Sequence, residues 1–247
     1  MNEHDLDQHL SQIVTQWTML HQAHKGEADA ATAARQQLML RYCGAVYRYL
    51  VRAVRDPALA EDLTQEFALR FLQGRFGQAD REQGRFRHYV KRALFHLVQD
   101  HHRGRLREPH AVALGPEMDV PAPGDEAAER DFRESWRQEV LSRAWQGLEA
   151  AQRETGQPYH DLLRLRVDQS DLTSNDLATL LTERLGRPFS ATNVRQLVHR
   201  ARARFADLLL DDVRASLEGA SWDRVEEELA ELDLLKYCKD QLDERRG

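Results

Sequence analysis

Helix-favouring residues restrict the folds open to this sequence more than any single motif does. Leucine, alanine, arginine and glutamate are abundant, and these side chains lose little rotamer freedom in a helix. Isoleucine occurs only at Ile13, and no run of β-branched residues alternates as it would in a strand. The composition therefore predicts an all-α fold. At 247 residues, the chain is long enough for two small domains, each with its own core.

Neither a membrane segment nor a disulfide framework is predicted. No apolar run approaches the roughly 20 residues needed to cross a bilayer, and the polar N-terminus MNEHDLDQHL is unlike a secretory signal. The two cysteines, Cys43 and Cys238, are far apart and lack CxxC spacing, so a disulfide or a cysteine zinc site is not expected. We therefore expect a cytoplasmic protein that needs no metal or cofactor.

Charge is sorted along the chain, whose formal net charge is -6. Residues 85–107 contain seven basic residues against one acid, and residues 184–206 contain six arginines and no acid. Between them, residues 108–134 contain eight acids, four prolines and two glycines, a composition typical of a linker. The pattern predicts, in order, a helical domain, an acidic linker, a second helical domain and an acidic amphipathic helix (1–107, 108–134, 135–217 and 218–247).

Apolar residues at helical spacing predict the helices of the first domain. One helix is indicated around Ile13, Trp17 and Leu20, and a second from Leu38 to Leu50. A third is expected to begin at Pro57, because proline suits the first position of a helix. The fourth is expected from about Phe86 to His102.

Two of these predicted helices have a distinctive polar surface. The third, DPALAEDLTQEFALRFLQG, carries Asp62, Gln65 and Glu66 on one side, which by itself indicates only a solvated acidic face. The fourth, GRFRHYVKRALFHLVQDHHRGR, is basic with interleaved aromatic residues. This combination suits single-stranded nucleic acid, because bases stack on rings while cations contact phosphates. Core packing is nevertheless the expected role of Phe86, and the role of Tyr89 is left open.

A later stretch, TSNDLATLLTERLGRPFSATNVRQLVHRARARF, has the pattern of a helix-turn-helix. Ser174 is expected to cap the first helix, Gly186 to end it and Ser190 to cap the second. The second helix has a polar face of residue types that contact base edges and phosphates in the major groove. These residues are Thr192, Asn193, Arg195, Gln196, His199 and Arg200. The pattern is typical of a DNA-reading helix, although a solvated arginine face on an ordinary helix pair explains the same residues.

The order of these parts resembles a known family. An AEDLTQE helix, a GRFR–DHHR helix, a linker and an NVRQLVHRAR helix occur in the same order in bacterial RNA polymerase sigma factors of the extracytoplasmic-function type. The resemblance covers residues 17–107 as region 2 and 136–213 as region 4. It implies a non-enzymatic protein that binds core RNA polymerase, through its β and β′ subunits, and directs promoter-specific transcription initiation. It leaves open whether an anti-sigma factor is a further partner.

The resemblance also implies roles for individual residues. Asp62, Gln65 and Glu66 would dock on the coiled coil of the polymerase β′ subunit. The −10 promoter element would be held and melted by Arg85, Phe86, Arg87, Tyr89, Lys91, Arg92, His96 and Arg103. The −35 element would be read by Thr192, Asn193, Arg195, Gln196, His199 and Arg200. Tyr89 stands where the family usually has tryptophan. His96 stands where the family often has asparagine and Phe95 where arginine is common, so the family's −10 base preference is not carried over.

Other interpretations of the chain stay open. A helix-turn-helix regulator that binds DNA without polymerase explains the second domain but not the AEDLTQE helix. A metal-dependent phosphoesterase is suggested by Asp100, His101 and His102, but adjacent histidines on a helix point in different directions and no second cluster accompanies them. A sigma-like adaptor without promoter activity is a third interpretation.

The acidic C-terminal helix has two possible roles. Its apolar face requires burial, so it is expected to pack on the second domain and enlarge that core. A second hypothesis adds that, once the helix is packed, its carboxylates would lie close to Arg195, Arg200 and Arg204 and would mask the DNA-reading face.

Overall fold

The computed structural model describes residues 30–73, 86–107, 126–217 and 219–247. Every regular element in these ranges is helical, which confirms the predicted all-α fold. The helices are α1 (Ala30–Val54), α2 (Pro57–Leu72), α3 (Phe86–Arg107), α4 (Glu126–Thr155), α5 (Tyr159–Asp168), α6 (Ser174–Leu185), α7 (Ala191–Ser216), α8 (Trp222–Glu231), the 3-10 turn η1 (Leu235–Tyr237) and α9 (Lys239–Arg246). The helix predicted around Ile13, Trp17 and Leu20 lies outside the described residues. Within the described ranges, no helix is both long and apolar enough to cross a membrane.

The chain divides into two compact units, Met1–Glu139 and Val140–Gly247, and the boundary falls inside α4. The sequence predicts a linker as far as residue 134, whereas residues 126–134 form the first turns of α4. Residues 108–125 of that predicted linker lie outside the described residues. Phe132 and Trp136 are only 2% and 3% exposed, and the burial of these two large rings favours helix over a solvated linker.

Aromatic side chains form the core of the first unit. Tyr42 of α1 stacks on Trp136 of α4 with ring centroids 4.5 Å apart. Phe86 of α3 lies 5.2 Å from Tyr42 and 6.2 Å from Trp136. Tyr49, also on α1, contacts Phe95 of α3 at 6.1 Å. The expected core role of Phe86 agrees with these contacts, and the rings hold α1, α3 and the start of α4 together.

A polar seam runs beside this aromatic core between α1 and α4. Arg48 Nη1 donates to Glu139 Oε2 at 2.5 Å, and both side chains are largely buried. Arg52 Nη1 donates to the hydroxyl oxygen of Ser135 at 3.2 Å. Gly44 makes room for the ion pair, since a Cβ at that position would lie 2.1 Å from Glu139 Oε2. The seam holds α4 against α1, because separation of the two helices would leave buried charges without a partner.

The start of α2 follows directly from its sequence. Asp56 Oδ1 accepts hydrogen bonds from the backbone N–H groups of Ala58 at 3.0 Å and Leu59 at 3.2 Å, and Pro57 occupies the first turn. Leu63 and Phe67 face the core. The opposite side of α2 is thereby left on the surface of the first unit.

The second unit contains the predicted helix-turn-helix, formed by α6 and α7. Gly186 ends α6 with a φ of 64°, a left-handed conformation that favours glycine. Ser190 caps α7 by accepting from the backbone N–H of Asn193 at 3.2 Å. The cap of α6 is Thr173 rather than the expected Ser174. Thr173 and Asp176 form a reciprocal capping box, and the hydrogen bonds from Thr173 hold the pKa of the Asp176 carboxyl below its usual value.

Two apolar clusters hold this unit together. Residues of α5, α6 and α7 form the first cluster, which comprises Leu162, Leu165, Leu177, Ala178, Leu181, Val194 and Leu197. In the second, Leu148 of α4 and Leu163 of α5 pack with Ala201 of α7. Because α7 contributes to both clusters, its packing against α4, α5 and α6 fixes which of its faces is buried.

The C-terminal segment, residues 219–247, packs on the second half of α7. The sequence predicts one helix over 218–247, whereas the structure has α8, η1 and α9. Asp233 interrupts the helix with a φ of 55°, a conformation that aspartate tolerates better than most residues. Leu229 and Leu242 are fully buried, and α8 and α9 both contact α7. The apolar face of the segment is therefore covered, as expected for simple packing.

The capping box predicts a difference between two neighbouring substitutions. Thr173→Ala should lower the free energy of unfolding by about 1 kcal/mol, because the first turn of α6 loses its side-chain acceptor. Ser174→Ala, its matched control, should change this free energy by less than about 0.5 kcal/mol. Chemical denaturation followed by circular dichroism measures both values. A larger loss in Ser174→Ala than in Thr173→Ala would contradict the observed cap.

Candidate nucleic-acid and polymerase interfaces

The N-terminal half of α7 exposes all six residues predicted to read the −35 element. Thr192, Asn193, Arg195, Gln196, His199 and Arg200 are exposed. Val194 and Leu197 are buried between them in the helix-turn-helix core, so packing directs the polar residues outward. Arg195 Nη2 also donates to Thr192 Oγ1 at 3.2 Å, which positions two of these side chains relative to each other. The structure therefore brings the six residues together on one helix surface.

Two further arginines, Arg202 and Arg204, continue this exposed surface along α7. Together with Arg195 and Arg200 they form the basic half of α7. None of these four arginines pairs with a carboxylate among the described residues. Exposed cations that lack a carboxylate partner within the protein are suited to phosphate binding. The arginine run in the sequence contained this signal, although Arg202 and Arg204 were not assigned to the predicted site.

The C-terminal half of α7 has the opposite arrangement. Its three acids are Asp207, Asp211 and Asp212, and each is paired with an arginine from another helix. Arg245 of α9 donates to Asp207 at 2.7 Å and to Asp211 at 2.5 Å. Arg143 of α4 forms a bidentate pair with Asp212, with N···O distances of 2.9 and 2.8 Å. We call these three aspartates the acidic half of α7.

The outward side of α2 holds the residues predicted to dock on polymerase. Asp62 and Gln65 are exposed, while Glu66 is partly exposed and pairs with Arg70 one turn later. Leu69 lies on the same side of the helix and is 54% exposed. An apolar side chain beside polar ones is a common composition of a protein interface, and Leu69 is not among the docking residues that the sequence predicts. We call Asp62, Gln65, Glu66 and Leu69 the α2 face.

The residues predicted to contact the −10 element are divided between the surface and the core of the first unit. Arg92, His96 and Arg103 are exposed along one side of α3. By contrast, the Arg87 side chain is only 7% exposed, and Phe86 belongs to the aromatic core. Arg85 lies outside the described residues.

Two further residues of α3 from this predicted site have partners within the first unit. Tyr89 is partly buried between Phe71 and Phe86, with centroid distances of 6.2 and 6.3 Å. Lys91 Nζ contacts both carboxylate oxygens of Glu129 at 2.7 and 2.8 Å. The ring of Tyr89 is thus held in place by two other rings, and the charge of Lys91 is matched by α4.

Among the described residues, the thiols and the adjacent histidines of α3 offer little for metal or nucleophile chemistry. Cys43 and Cys238 are free and buried, and burial raises the pKa of each thiol to about 12, so both are protonated at neutral pH. The rings of His101 and His102 are 6.0 Å apart with planes at 74°. In the part of the chain that the structure describes, no group of three or more His, Cys, Asp or Glu side chains could hold a metal ion.

Comparison with known proteins identifies the first unit. Residues 38–108 match the family model of sigma-70 region 2, a range that includes most of α1 and all of α2 and α3. No curated protein and no solved structure gives a significant match to the chain. The match supports a sigma factor of the sigma-70 family, in which region 2 has a role in RNA polymerase binding and in promoter recognition and melting. Within the first unit, residues 38–108 are therefore similar to sigma-70 region 2.

Proposed function

We propose that the protein is a two-domain sigma factor of the extracytoplasmic-function type, which binds core RNA polymerase and directs promoter-specific transcription initiation. One observation carries the proposal: a region 2 match on the first unit is followed, in the same chain, by a helix-turn-helix whose second helix exposes arginines that pair with no carboxylate among the described residues. Region 2 alone would suit polymerase binding and the −10 element. The second unit adds the means to read a −35 element.

Polymerase docking is assigned to the α2 face. The three polar residues precede Leu69 on the same side of α2, so a partner would bury one leucine while it contacts the polar and charged groups beside it. Interfaces usually gain most of their free energy from a few such central contacts and use rim charges for specificity. The β′ coiled coil is the partner that the sequence resemblance implies for this face.

Binding and melting of the −10 element are assigned to α3. Arg92, His96 and Arg103 are exposed and suited to phosphate contacts. Tyr89 is partly exposed, and Phe71 and Phe86 contact its ring. A ring supported in this way can stack on an unpaired base without a large loss of side-chain entropy. Arg87 is left out of this assignment because its side chain is buried.

Recognition of the −35 element is assigned to the basic half of α7 and the polar residues beside it. Arginine and glutamine, here Arg195 and Gln196, form bidentate hydrogen bonds with guanine and adenine in the major groove. Arg202 and Arg204 lie further along the helix, where contacts to phosphates would fix the register of the helix in the groove. The second unit on its own would also suit a regulator that binds DNA without polymerase, so polymerase binding is the property that separates the two functions.

The docking assignment predicts the effect of a charge reversal on the α2 face. Asp62→Arg should weaken binding to purified core polymerase at least about tenfold, because a reversed charge at a protein interface costs several kcal/mol. Glu126→Arg makes the same change of charge at an exposed position of the first unit outside α2 and should bind like the wild type. Fluorescence anisotropy of labelled protein titrated with core polymerase measures the affinities. Wild-type affinity in Asp62→Arg would refute docking through this face.

The α7 assignment predicts a change in sequence preference. Arg195→Ala and Gln196→Ala should each alter the selected −35 bases, since one base contact is worth about 1–3 kcal/mol of discrimination. Arg224→Ala removes a charge from an exposed residue of α8 and should leave the selected sequence unchanged. Selection of bound duplexes from a library randomised over the −35 region provides the readout. Identical selected sequences for all four proteins would exclude α7 as the reading helix.

The α3 assignment predicts a kinetic effect on strand opening. Tyr89→Ala should slow promoter opening, because the loss of one base stack is worth about 1–3 kcal/mol. Tyr237→Ala is the matched control, since Tyr237 is 48% exposed and belongs to the second unit. Permanganate footprinting of the holoenzyme on a selected promoter follows the unpaired thymines over time. If Tyr89→Ala opens the promoter at the wild-type rate, Tyr89 has no part in melting.

A further inference from the structure

The ion pairs between the C-terminal segment and α7 involve the acidic half of that helix and not the arginines of the basic half. Arg245 of α9 reaches Asp207 and Asp211 on the acidic half of α7. Arg195, Arg200 and Arg204 are exposed and pair with no described carboxylate. The segment therefore does not have the ion pairs that masking of the basic half would require. Its contact with α7 instead supplies a cation to the two aspartates.

These aspartates are close enough to the basic half to affect it. Asp207 lies three residues after Arg204, and side chains three or four residues apart are neighbours on a helix surface. Asp211 lies one turn after Asp207. Because a helix rises about 1.5 Å per residue, Asp211 is roughly 10 Å from Arg204 along the helix axis. This distance is comparable to the Debye length at physiological salt, which is about 8 Å. Both carboxylates would therefore act on Arg204 and on bound phosphates if they lacked a partner.

We propose that the C-terminal segment increases the affinity of α7 for DNA, with Arg245 as a positioning residue that offsets part of the negative charge of Asp207 and Asp211. The proposal rests on the assignment of the basic half of α7 to DNA. Arg245 binds both aspartates at once, so their repulsion of a phosphate is reduced and Asp207 is less able to draw the Arg204 guanidinium away from DNA. Arg143 has the same relation to Asp212. Each of the three acids of α7 therefore has an arginine partner. The four arginines of the basic half pair with no carboxylate among the described residues.

The neighbouring residue Arg246 provides a matched control. Its guanidinium pairs with Asp223 and Glu226, which both belong to α8, at 2.5 and 2.6 Å. Arg245 and Arg246 are thus adjacent arginines with two carboxylate partners each. Only Arg245 has its partners on α7. Loss of Arg246 should affect the packing of the C-terminal segment, but it should leave no carboxylate of α7 without its arginine partner.

The experiment uses the full chain and a fluorescein-labelled duplex DNA of randomised sequence, because phosphate contacts give affinity for any sequence. Arg245→Gln should weaken binding roughly threefold to tenfold at low salt, the range expected when two surface ion pairs are lost. The loss should shrink as salt rises, since screening reduces the repulsion. Arg246→Gln should bind with wild-type affinity. The triple variant Arg245→Gln, Asp207→Asn, Asp211→Asn should regain wild-type affinity or exceed it.

Thermal unfolding of each variant separates stability from charge. A purely structural role for Arg245 predicts that the triple variant, which also lacks both ion pairs, stays weak in DNA binding. That result would overturn the proposal, as would wild-type affinity in Arg245→Gln at low salt. The double variant Arg195→Ala, Arg200→Ala tests the underlying assignment separately. If it binds the duplex like the wild type, α7 is not the DNA site; if it binds weakly while Arg245→Gln does not, only the role of Arg245 is refuted.

Discussion

Helix α7 buries one face along its whole length, and the rest of the second unit is arranged around that constraint. Helices α5 and α6 cover its first half, and α8 and α9 contact it as well. The arginines of its first half, with Asp207 and Asp211, therefore lie on the outer side, whereas Asp212 is largely buried and pairs with Arg143 of α4. These outer residues are sorted along the helix: the arginines before Phe205 pair with no described carboxylate, and Asp207 and Asp211 after it pair with Arg245. A single amphipathic helix thus combines a nucleic-acid surface with a docking surface for the C-terminal segment.

The first unit separates its surfaces in a different way. An aromatic core joins α1, α3 and the start of α4, and it includes Phe86 and supports Tyr89. Helix α2 lies beside this core and exposes the α2 face, while α3 exposes a basic side. Arg70 of α2 contacts Glu66 on its own helix and approaches Asp100 of α3 at 3.7 Å. The proposed polymerase and −10 surfaces thus belong to adjacent helices linked by charged side chains.

Local chemistry determined which features could be predicted from the sequence. Gly186 was placed correctly at the end of α6, because a left-handed cap favours glycine whatever the tertiary structure. Phe132 falls within the predicted linker, because the acidic and proline-rich composition around it gives no sign that its ring is buried in the core of the first unit. The spacing of the apolar residues is not changed by the helix break at Asp233, so the sequence pattern does not predict it. The burial of Arg87 and the exposure of Leu69 depend on contacts between helices, which spacing along one helix does not reveal.

Run-off transcription with purified core RNA polymerase over a library of randomised promoters tests the central claim most directly. The account predicts that this protein enriches transcripts from templates with two sequence motifs at a fixed spacing, one for each unit. Core polymerase alone should enrich neither motif. An absence of promoter-dependent transcripts, in a preparation that binds duplex DNA but does not bind core polymerase, would contradict the account and favour a regulator that acts without polymerase.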